Sequence, residues 1–503
     1  MRILRSENII YQSSFINYNM NNSSQKISVV EKIGYSLGDL AANLVFQTLV
    51  TYLAYFYTDI YGLKPEDASI ITLIVGLIAG FGFNPMVGAL ADRTRTKWGK
   101  FRPWILFSAV PLGAAALFAF STPDFSYQGK MIYAAATYTI LLLLYAANNL
   151  PYAALSGVIT GDMKERNSIS SYRFVAVMFA QFFVQVFMLP IILSAGNGDK
   201  AVGIEIVMTW LAIIGTIMLL ITFFTTKERV IPKPEQESTL GADLKDLKKN
   251  KPWIIMLIVT ALIFITLAMK GGSYVYYFNN YVDEASLKNF ISPITAFFSS
   301  IGMNFFGEDP RSAGFGLFNA GGIIMMIIGI TFSKRFADKY GKRDAFIASL
   351  FISTLFIVAF IFYPPKSVGL MFLSQILHGF FYGISTPLLW AMIADVADYS
   401  EWKNNRRATA IIFSAMMVGL KVGLSIGSSL VSSIIGHYGY ISSEGAENVI
   451  QPESVANGSQ MLVSIFPAIP FFAACGLLMF YEINKKMETQ IEQELKERRK
   501  KED

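Results

Sequence analysis

The chain is dominated by long apolar stretches separated by short polar connections, for example residues 70–90, 104–120 and 210–224. About 20 apolar residues are enough for a helix to cross a bilayer. Backbone groups inside a bilayer must satisfy their own hydrogen bonds, which favours helices over open strands. The pattern therefore predicts an all-α integral membrane protein with twelve transmembrane helices, at residues 34–58, 69–91, 104–121, 132–156, 171–194, 206–225, 253–279, 313–333, 344–363, 368–395, 408–436 and 460–482.

The polar segments divide these spans into two six-helix halves. We predict a disordered cytoplasmic leader at 1–32, a first bundle at 33–226, a cytoplasmic linker at 227–251, a second bundle at 252–484 and a charged cytoplasmic tail at 485–503. The long outer connection, 281–313, carries an apolar patch that either lies along the membrane surface or caps the outer mouth.

Composition excludes most other classes of protein. The chain is 53% hydrophobic and 16% charged, whereas soluble proteins carry about 25% charged residues. The single cysteine, Cys475, allows no intramolecular disulfide, and His378 and His437 are too far apart to suggest a zinc site. Neither a catalytic triad nor a phosphate-binding loop is visible. We therefore expect no enzyme activity, no cofactor and no bound metal.

The distribution of basic residues predicts orientation. Of the 42 lysines and arginines, 33 lie in the terminal segments and the even-numbered connections, six in the odd-numbered connections and three within spans. Because cytoplasmic loops are enriched in lysine and arginine, both termini should be cytoplasmic, in a multi-pass protein of a bacterial-type inner membrane. This topology explains the net charge of +6 without nucleic-acid binding.

A short basic motif occurs once in each half, directly after its second span. Such repeats are typical of transporters whose two halves rock about a central site. A basic group at the end of a helix also suits the helix dipole. We predict that these residues control conformational gating: Asp92, Arg95, Lys97, Gly99, Lys100 and Arg102 in the first half, and Asp338, Gly341 and Lys342 in the second.

Four stretches carry a family resemblance: Tyr55–Asp59, Lys97–Trp104, Asn149–Tyr152 and Ala394–Glu401. With these stretches, residues 31–483 resemble the major facilitator superfamily, and within it the glycoside–pentoside–hexuronide:cation symporters. The resemblance implies a secondary transporter that moves a sugar or glycoside across the cytoplasmic membrane by alternating access.

Three basic residues lie within spans: Arg173, Lys270 and Lys421. A charged group at the bilayer centre costs about 2.5–3.5 kcal/mol, so we expect these groups to be paired or to face a cavity, although each could instead reach an interface. Tyr274 follows Lys270 in a glycine- and tyrosine-rich segment. Since Asp39 is the only acid clearly at depth, the excess positive charge favours an anionic substrate such as a hexuronide.

Polar residues also share helix faces in spans 4 and 1. By helical spacing, one face of span 4 carries Tyr145, Asn148, Asn149 and Tyr152, and one face of span 1 carries Asp39 and Asn43. Such groups either bind a sugar or merely join helices. The resemblance places Asn43 and Asn149 at positions where family members carry sugar-binding aspartates, and it matches Arg173 and Lys421 to basic residues of the family's central cavity.

The resemblance also indicates an altered cation site. The family's sodium site uses two aspartates one helical turn apart, and these positions are Gly80 and Asn84 here; a supporting threonine is Ala146. Hard cations prefer anionic oxygen ligands, so a sodium site is not expected. Either a proton is coupled, carried by His378 or Asp39 because imidazole titrates near neutral pH, or no cation is obligatory.

The expected partners are a small-molecule sugar, a proton and the lipid bilayer, with the protein as a monomer. Two other possibilities remain open at this stage. One is a carrier of a non-sugar substrate, such as a lipid, a nucleoside or a peptide, on the same fold. The other is a sugar facilitator or sensor without cation coupling.

Overall fold

The computed structural model describes residues 26–160, 162–230, 250–304, 306, 309–404, 409–444 and 449–502. Twelve helices in this part of the chain are long and apolar enough to cross a membrane. They confirm the predicted spans, which are numbered 1 to 12 in chain order. Their bounds are Val29–Ile60, Pro65–Ala91, Arg102–Ala119, Tyr127–Ile159, Lys164–Ala195, Lys200–Thr225, Lys251–Asn280, Pro310–Tyr340, Lys342–Phe362, Val368–Lys403, Ile412–His437 and Glu453–Leu478.

Several helices begin some residues before their apolar windows, and polar side chains cap six of the twelve spans in the described part of the chain. Ser28 accepts a hydrogen bond from the backbone of Glu31 at the start of span 1. Asp199 and Asn250 cap spans 6 and 7 in the same way. Such a cap satisfies backbone N–H groups that the first turn leaves free. Hydropathy alone therefore locates these helices but underestimates their length.

Three spans contain a π-helical turn, at Phe56–Ile60, Ala79–Phe83 and Phe183–Phe187. In span 2, the backbone N–H of Asn84 reaches back to the carbonyl of Ala79. The next residue, Pro85, has no N–H to donate, so the regular ladder is interrupted here. π turns are frequent at functional sites, and this one carries Gly80, a predicted cation-site position.

The spans form two six-helix halves that meet through spans 1, 2 and 5 of the first half and spans 7, 8 and 11 of the second. Because each half has an even number of spans, both described ends of the chain lie on one side, called the terminal side below. The other side is called the opposite side.

The apolar outer connection forms a helix on the opposite side, Glu284–Ser300. Asp283 caps it by accepting a hydrogen bond from the backbone N–H of Ser286, and this bond lowers the pKa of Asp283. Phe298 stacks on Phe306 with ring centroids 4.9 Å apart, and Phe306 contacts Phe187 of span 5 at 5.6 Å. The connection therefore reaches the first half and covers part of the opposite side.

The segments that follow each bundle are attached to that bundle. After the first bundle, Arg229 forms an ion pair with Glu31 at 2.8 Å. After span 12, a terminal helix, Lys485–Glu502, docks on the second half. There the indole of Trp402 donates a hydrogen bond of 2.6 Å to Glu494. The predicted leader and linker lie mostly outside the described residues.

Candidate functional site

A cavity of about 260 Å³ lies between the two halves. This volume is near the lower end of the range for small-molecule sites. Three of the predicted site residues line it, namely Lys270, Tyr274 and His378. The polar side chains beside them come from spans 1, 5, 8 and 10, and they are Gln47, Gln181, Gln185, Asn319 and Gln375.

The ammonium group of Lys270 contacts Nε2 of His378. On the other side of the ring, Nδ1 lies 3.1 Å from the backbone oxygen of Ser353 and 2.8 Å from its hydroxyl. Because a backbone carbonyl only accepts hydrogen bonds, we assign the ring proton to Nδ1. Nε2 is then free to accept a hydrogen bond from the lysine. Both side chains are buried.

Lys270 is the only lysine, arginine, aspartate or glutamate among the described residues that line the cavity. Beside it, Tyr274 donates a 3.1 Å hydrogen bond to Gln375, and the ring of Tyr382 stacks on that of His378 at 5.8 Å. An ammonium group without a carboxylate partner favours an anionic ligand, because burying a charge is costly unless an opposite charge pairs with it.

In the first half, the basic residue within a span, Arg173, has an acidic partner. The guanidinium of Arg173 forms an ion pair of 2.8 Å with Asp39, and Asn43 donates a 3.2 Å hydrogen bond to the same carboxylate. The guanidinium also lies over the rings of Tyr35 and Tyr152, at 5.7 and 5.4 Å. The structure therefore unites Asp39, Asn43, Tyr152 and Arg173 in one cluster.

The predicted polar face of span 4 is divided between two environments. Tyr152 stacks on Tyr35 at 4.6 Å, and each hydroxyl donates to the other residue's backbone oxygen. Asn148 is fully buried and donates a 2.8 Å hydrogen bond to Ser108 of span 3. This contact supports the helix-joining role for Asn148. Asn149 is half-buried and lies, by helical spacing, between Tyr145 and Tyr152.

A second cavity, of about 90 Å³, adjoins the first and shares Phe46, Val50 and Leu424 with it. Tyr145 and Lys421 line this second cavity. The ammonium of Lys421 donates a hydrogen bond to the amide oxygen of Asn84.

These residues do not fit a metal cation. Gly80 and Ala146 offer no side-chain oxygen, and the one amide oxygen, on Asn84, already accepts from a positively charged group. Hard cations need several oxygen ligands, preferably anionic ones. The absence of a sodium site at these positions stays a prediction.

In the first half, the repeated motif is organised by Glu228. Its carboxylate accepts backbone hydrogen bonds from Lys100, Phe101 and Arg102, at 2.8, 2.8 and 3.0 Å, and so caps span 3. Gly99 has φ +113°, and a Cβ there would lie 2.4 Å from the Glu228 carboxyl carbon. Arg95 and Lys97 are exposed. The side chain of Asp92 is not among those that the structure describes.

The motif in the second half uses side-chain ion pairs instead. Lys342 lies 2.6 Å from Asp395 of span 10 and 2.9 Å from Glu488 of the terminal helix. Gly341 adopts φ +88° where span 8 ends, and the backbone oxygen of Asp338 accepts a hydrogen bond from Lys485. The two motifs thus occupy matching places but make different contacts.

Contacts between the halves close the opposite side. Thr58 and Tyr276 share a hydroxyl hydrogen bond of 2.7 Å, and Tyr440 donates a hydrogen bond to Asp59. Further out, Lys130 forms an ion pair with Glu444 at 2.7 Å. Each pair joins one residue from each half, so these contacts hold the two halves together on this side.

The sequence matches the MFS/sugar transport protein family over residues 34–308 and 297–485. This chain belongs to that family. This chain is 32% identical to the inner membrane symporter YicJ of Escherichia coli (strain K12), over 90% of this chain and 91% of the relative. It is 31% identical to the putative glycoside/cation symporter YagG of the same strain, over 91% and 93%.

Among solved structures, a bacterial homologue of the human drug peptide transporters PepT1 and PepT2 is similar in fold. The match covers 92% of this chain and 100% of the homologue's chain. The TM-score is 0.61 and the identity is 11%, so this likeness bears on the fold alone. Together the comparisons confirm the predicted transporter fold, the predicted sugar or glycoside transport, and the expectation that the protein is a transporter rather than an enzyme.

Several polar residues that the structure places at the cavity or at the first motif were not identified from the sequence. Gln375 precedes His378 by three residues and shares its helix face, a spacing that was available in the sequence. Asn319 in span 8 could have been found as a polar residue inside an apolar span. Glu228 gave no such signal, because it lies in a charged stretch beside many similar residues.

Proposed function

We propose that the protein transports an acidic sugar or glycoside, such as a hexuronide, across the inner membrane by alternating access. The observation that carries this proposal is Lys270, a buried ammonium group on a cavity whose described lining contains no acidic side chain. The carboxylate of a uronate would pair with this charge. Arg173 is a poorer candidate for that role, because Asp39 already neutralises it.

The remaining lining groups suit a sugar ring. The amides of Gln375 and Asn319 offer both donors and acceptors to hydroxyls, and the faces of Tyr274 and Tyr382 can cover apolar C–H surface. A few convergent polar groups on an otherwise apolar wall are typical of small-molecule sites. We therefore place the sugar between spans 7, 8 and 10, with the carboxylate toward Lys270.

Alternating access would require the halves to separate on the opposite side. In the present state, hydrogen bonds such as Thr58–Tyr276 and Asp59–Tyr440 hold that side closed. The charge distribution along the chain favours cytoplasmic termini. The structure then corresponds to the state that exchanges substrate with the cytoplasm, and the protein functions as a monomer.

We further propose that the coupling ion is a proton and that His378 carries it. When the cavity contains no anion, a second positive charge next to Lys270 would be repelled. A bound carboxylate would offset that repulsion, so His378 could take up a proton as the substrate binds. Asp39 is less suited to this role because its carboxylate is held by Arg173 and Asn43.

Competition in proteoliposomes tests the substrate class. We would measure counterflow of labelled 4-nitrophenyl β-glucuronide, with the unlabelled glucuronide and the matched glucoside as competitors. We expect half-inhibition by the glucuronide at a concentration at least about tenfold lower, equivalent to 1.4 kcal/mol. Equal or stronger competition by the glucoside would refute an acidic substrate.

An imposed pH gradient, acidic outside, tests the coupling ion. We expect accumulation of the acidic sugar by the wild type, whereas His378→Gln should exchange the sugar without accumulating it. Accumulation by His378→Gln would exclude His378 as the carrier. Equilibration without accumulation by the wild type would identify a facilitator.

A further inference from the structure

Lys421 is a basic residue within span 11 that has no role in the proposed sugar site. It belongs to span 11 in the second half, and its ammonium donates a hydrogen bond to Asn84 of span 2 in the first half. Most other hydrogen bonds between the halves described above lie near the opposite side. This one lies deeper, beside the cavity that adjoins the sugar site.

The surroundings are shaped for the lysine side chain. A Cβ at position 80 would lie 3.6 Å from Cβ of Lys421, an ordinary van der Waals distance, so Gly80 faces the stem of the lysine. The amide nitrogen of Asn84 points to the backbone oxygen of Gly80 at 3.5 Å, which leaves the amide oxygen for the lysine. The absence of a side chain at position 80 and the neutral amide at position 84 both accommodate an ammonium group.

A separate metal cation would be repelled at this point. None of the described residues that line the second cavity is acidic, and Lys421 supplies its only fixed charge. Two like charges in contact repel each other strongly where water is largely excluded. A sodium ion would have to overcome this repulsion with a single neutral oxygen ligand.

We infer that the ammonium group of Lys421 is a built-in cation, which links the two halves through Asn84 at the positions where the family resemblance implies a sodium site. A bound ion must enter and leave in every transport cycle and so couples transport to its own gradient. A tethered ammonium cannot leave. The inference extends the proposed function, and it makes transport independent of sodium and lithium.

The first test needs no substrate and is therefore independent of the identity of the sugar. Thermal unfolding of the purified protein in detergent would be compared in sodium, lithium and choline chloride at equal ionic strength. A ligand that binds only the folded state raises the unfolding temperature. We expect the same temperature in all three salts. A sodium-specific rise in the wild type would overturn the inference.

The decisive variants rebuild two carboxylates with and without the lysine. Gly80→Asp/Asn84→Asp/Lys421→Ala places two carboxylates one helical turn apart, and we expect a sodium-dependent rise in its unfolding temperature. Gly80→Asp/Asn84→Asp retains Lys421 and serves as the matched control, in which the ammonium neutralises one of the two carboxylates and should weaken the sodium response. An equal sodium response in both variants would overturn the inference.

Two single variants keep the inference testable if the multiple variants do not fold. Lys421→Met removes the charge while retaining most of the side-chain volume, and we expect sugar counterflow to fall at least about tenfold. Lys421→Arg keeps the charge and should retain more counterflow than Lys421→Met. Equal losses in both variants, in sodium and in choline alike, would show that the charge itself is not needed.

Discussion

The two halves hold their buried basic groups in different ways. In the first half, Arg173 is neutralised by Asp39 and packs on two tyrosine rings. In the second half, Lys270 contacts an imidazole and Lys421 contacts an amide, both neutral groups. Among these three groups, only Arg173 has an acidic partner in the described part of the chain. In the proposed function, this difference separates a structural role for Arg173 from a ligand-binding role for Lys270.

Removing the charge at position 270 should have the largest effect. Truncating one partner of a buried charge pair costs about 2–5 kcal/mol, so Lys270→Met should weaken binding of an acidic sugar by at least about thirtyfold. Binding of the matched neutral glycoside should change little. The check is competition in counterflow, with Lys270→Arg as the control that keeps the charge. A parallel loss of both sugars would contradict the assigned role.

Breaking the ion pair of the first half should mainly affect stability. Asp39→Ala leaves the Arg173 guanidinium unpaired, which costs about 3–5 kcal/mol in a fully buried pair. Because 28% of the Arg173 side chain is exposed, solvent screening reduces the expected loss to about 1–3 kcal/mol. Denaturant unfolding in detergent measures it.

The double variant Asp39→Ala/Arg173→Met sharpens this comparison. It should recover part of the stability, because the unpaired charge is removed as well. If Asp39→Ala were as stable as the wild type but Arg173→Met lost all transport, Arg173 would belong with Lys270 as a ligand-binding group.

The repeated motifs give a smaller contrast. Glu228→Ala removes the acceptor of three backbone N–H groups at the start of span 3, and loss of a helix cap costs about 0.5–2 kcal/mol. Lys342→Met removes ion pairs to Asp395 and Glu488 that are partly exposed, so its cost should be at most about 1 kcal/mol. Denaturant unfolding of both variants measures the two losses of stability. A larger loss in Lys342→Met would show that the second motif contributes more to stability than the first.

The helices could be predicted because twenty apolar residues in a row allow few other structures. The pairing of polar groups could not. Arg173 and Asp39 are 134 positions apart, and Lys421 and Asn84 are 337 apart. Helical periodicity shows which residues share a face, but it does not show which neighbouring helix that face contacts.

Asn148 and Asn149 illustrate this limit on a small scale. Both are amides in the middle of span 4, and helical periodicity places both on one face. One residue of helix corresponds to about 100° of rotation, which is enough to direct Asn148 to Ser108 of span 3 while Asn149 lies between two tyrosines. The choice between them depends on the packing of span 3, which the local sequence of span 4 does not contain.

The fastening of residues 228 and 229 has a practical consequence. Glu228 and Arg229 attach the end of the first half to its own spans, and the second half begins anew with a cap at Asn250. Neither bundle therefore depends on the intervening stretch for these contacts. A fluorescent or affinity module inserted between residues 231 and 249, or a deliberate break of the chain there, should leave two bundles that still recognise each other.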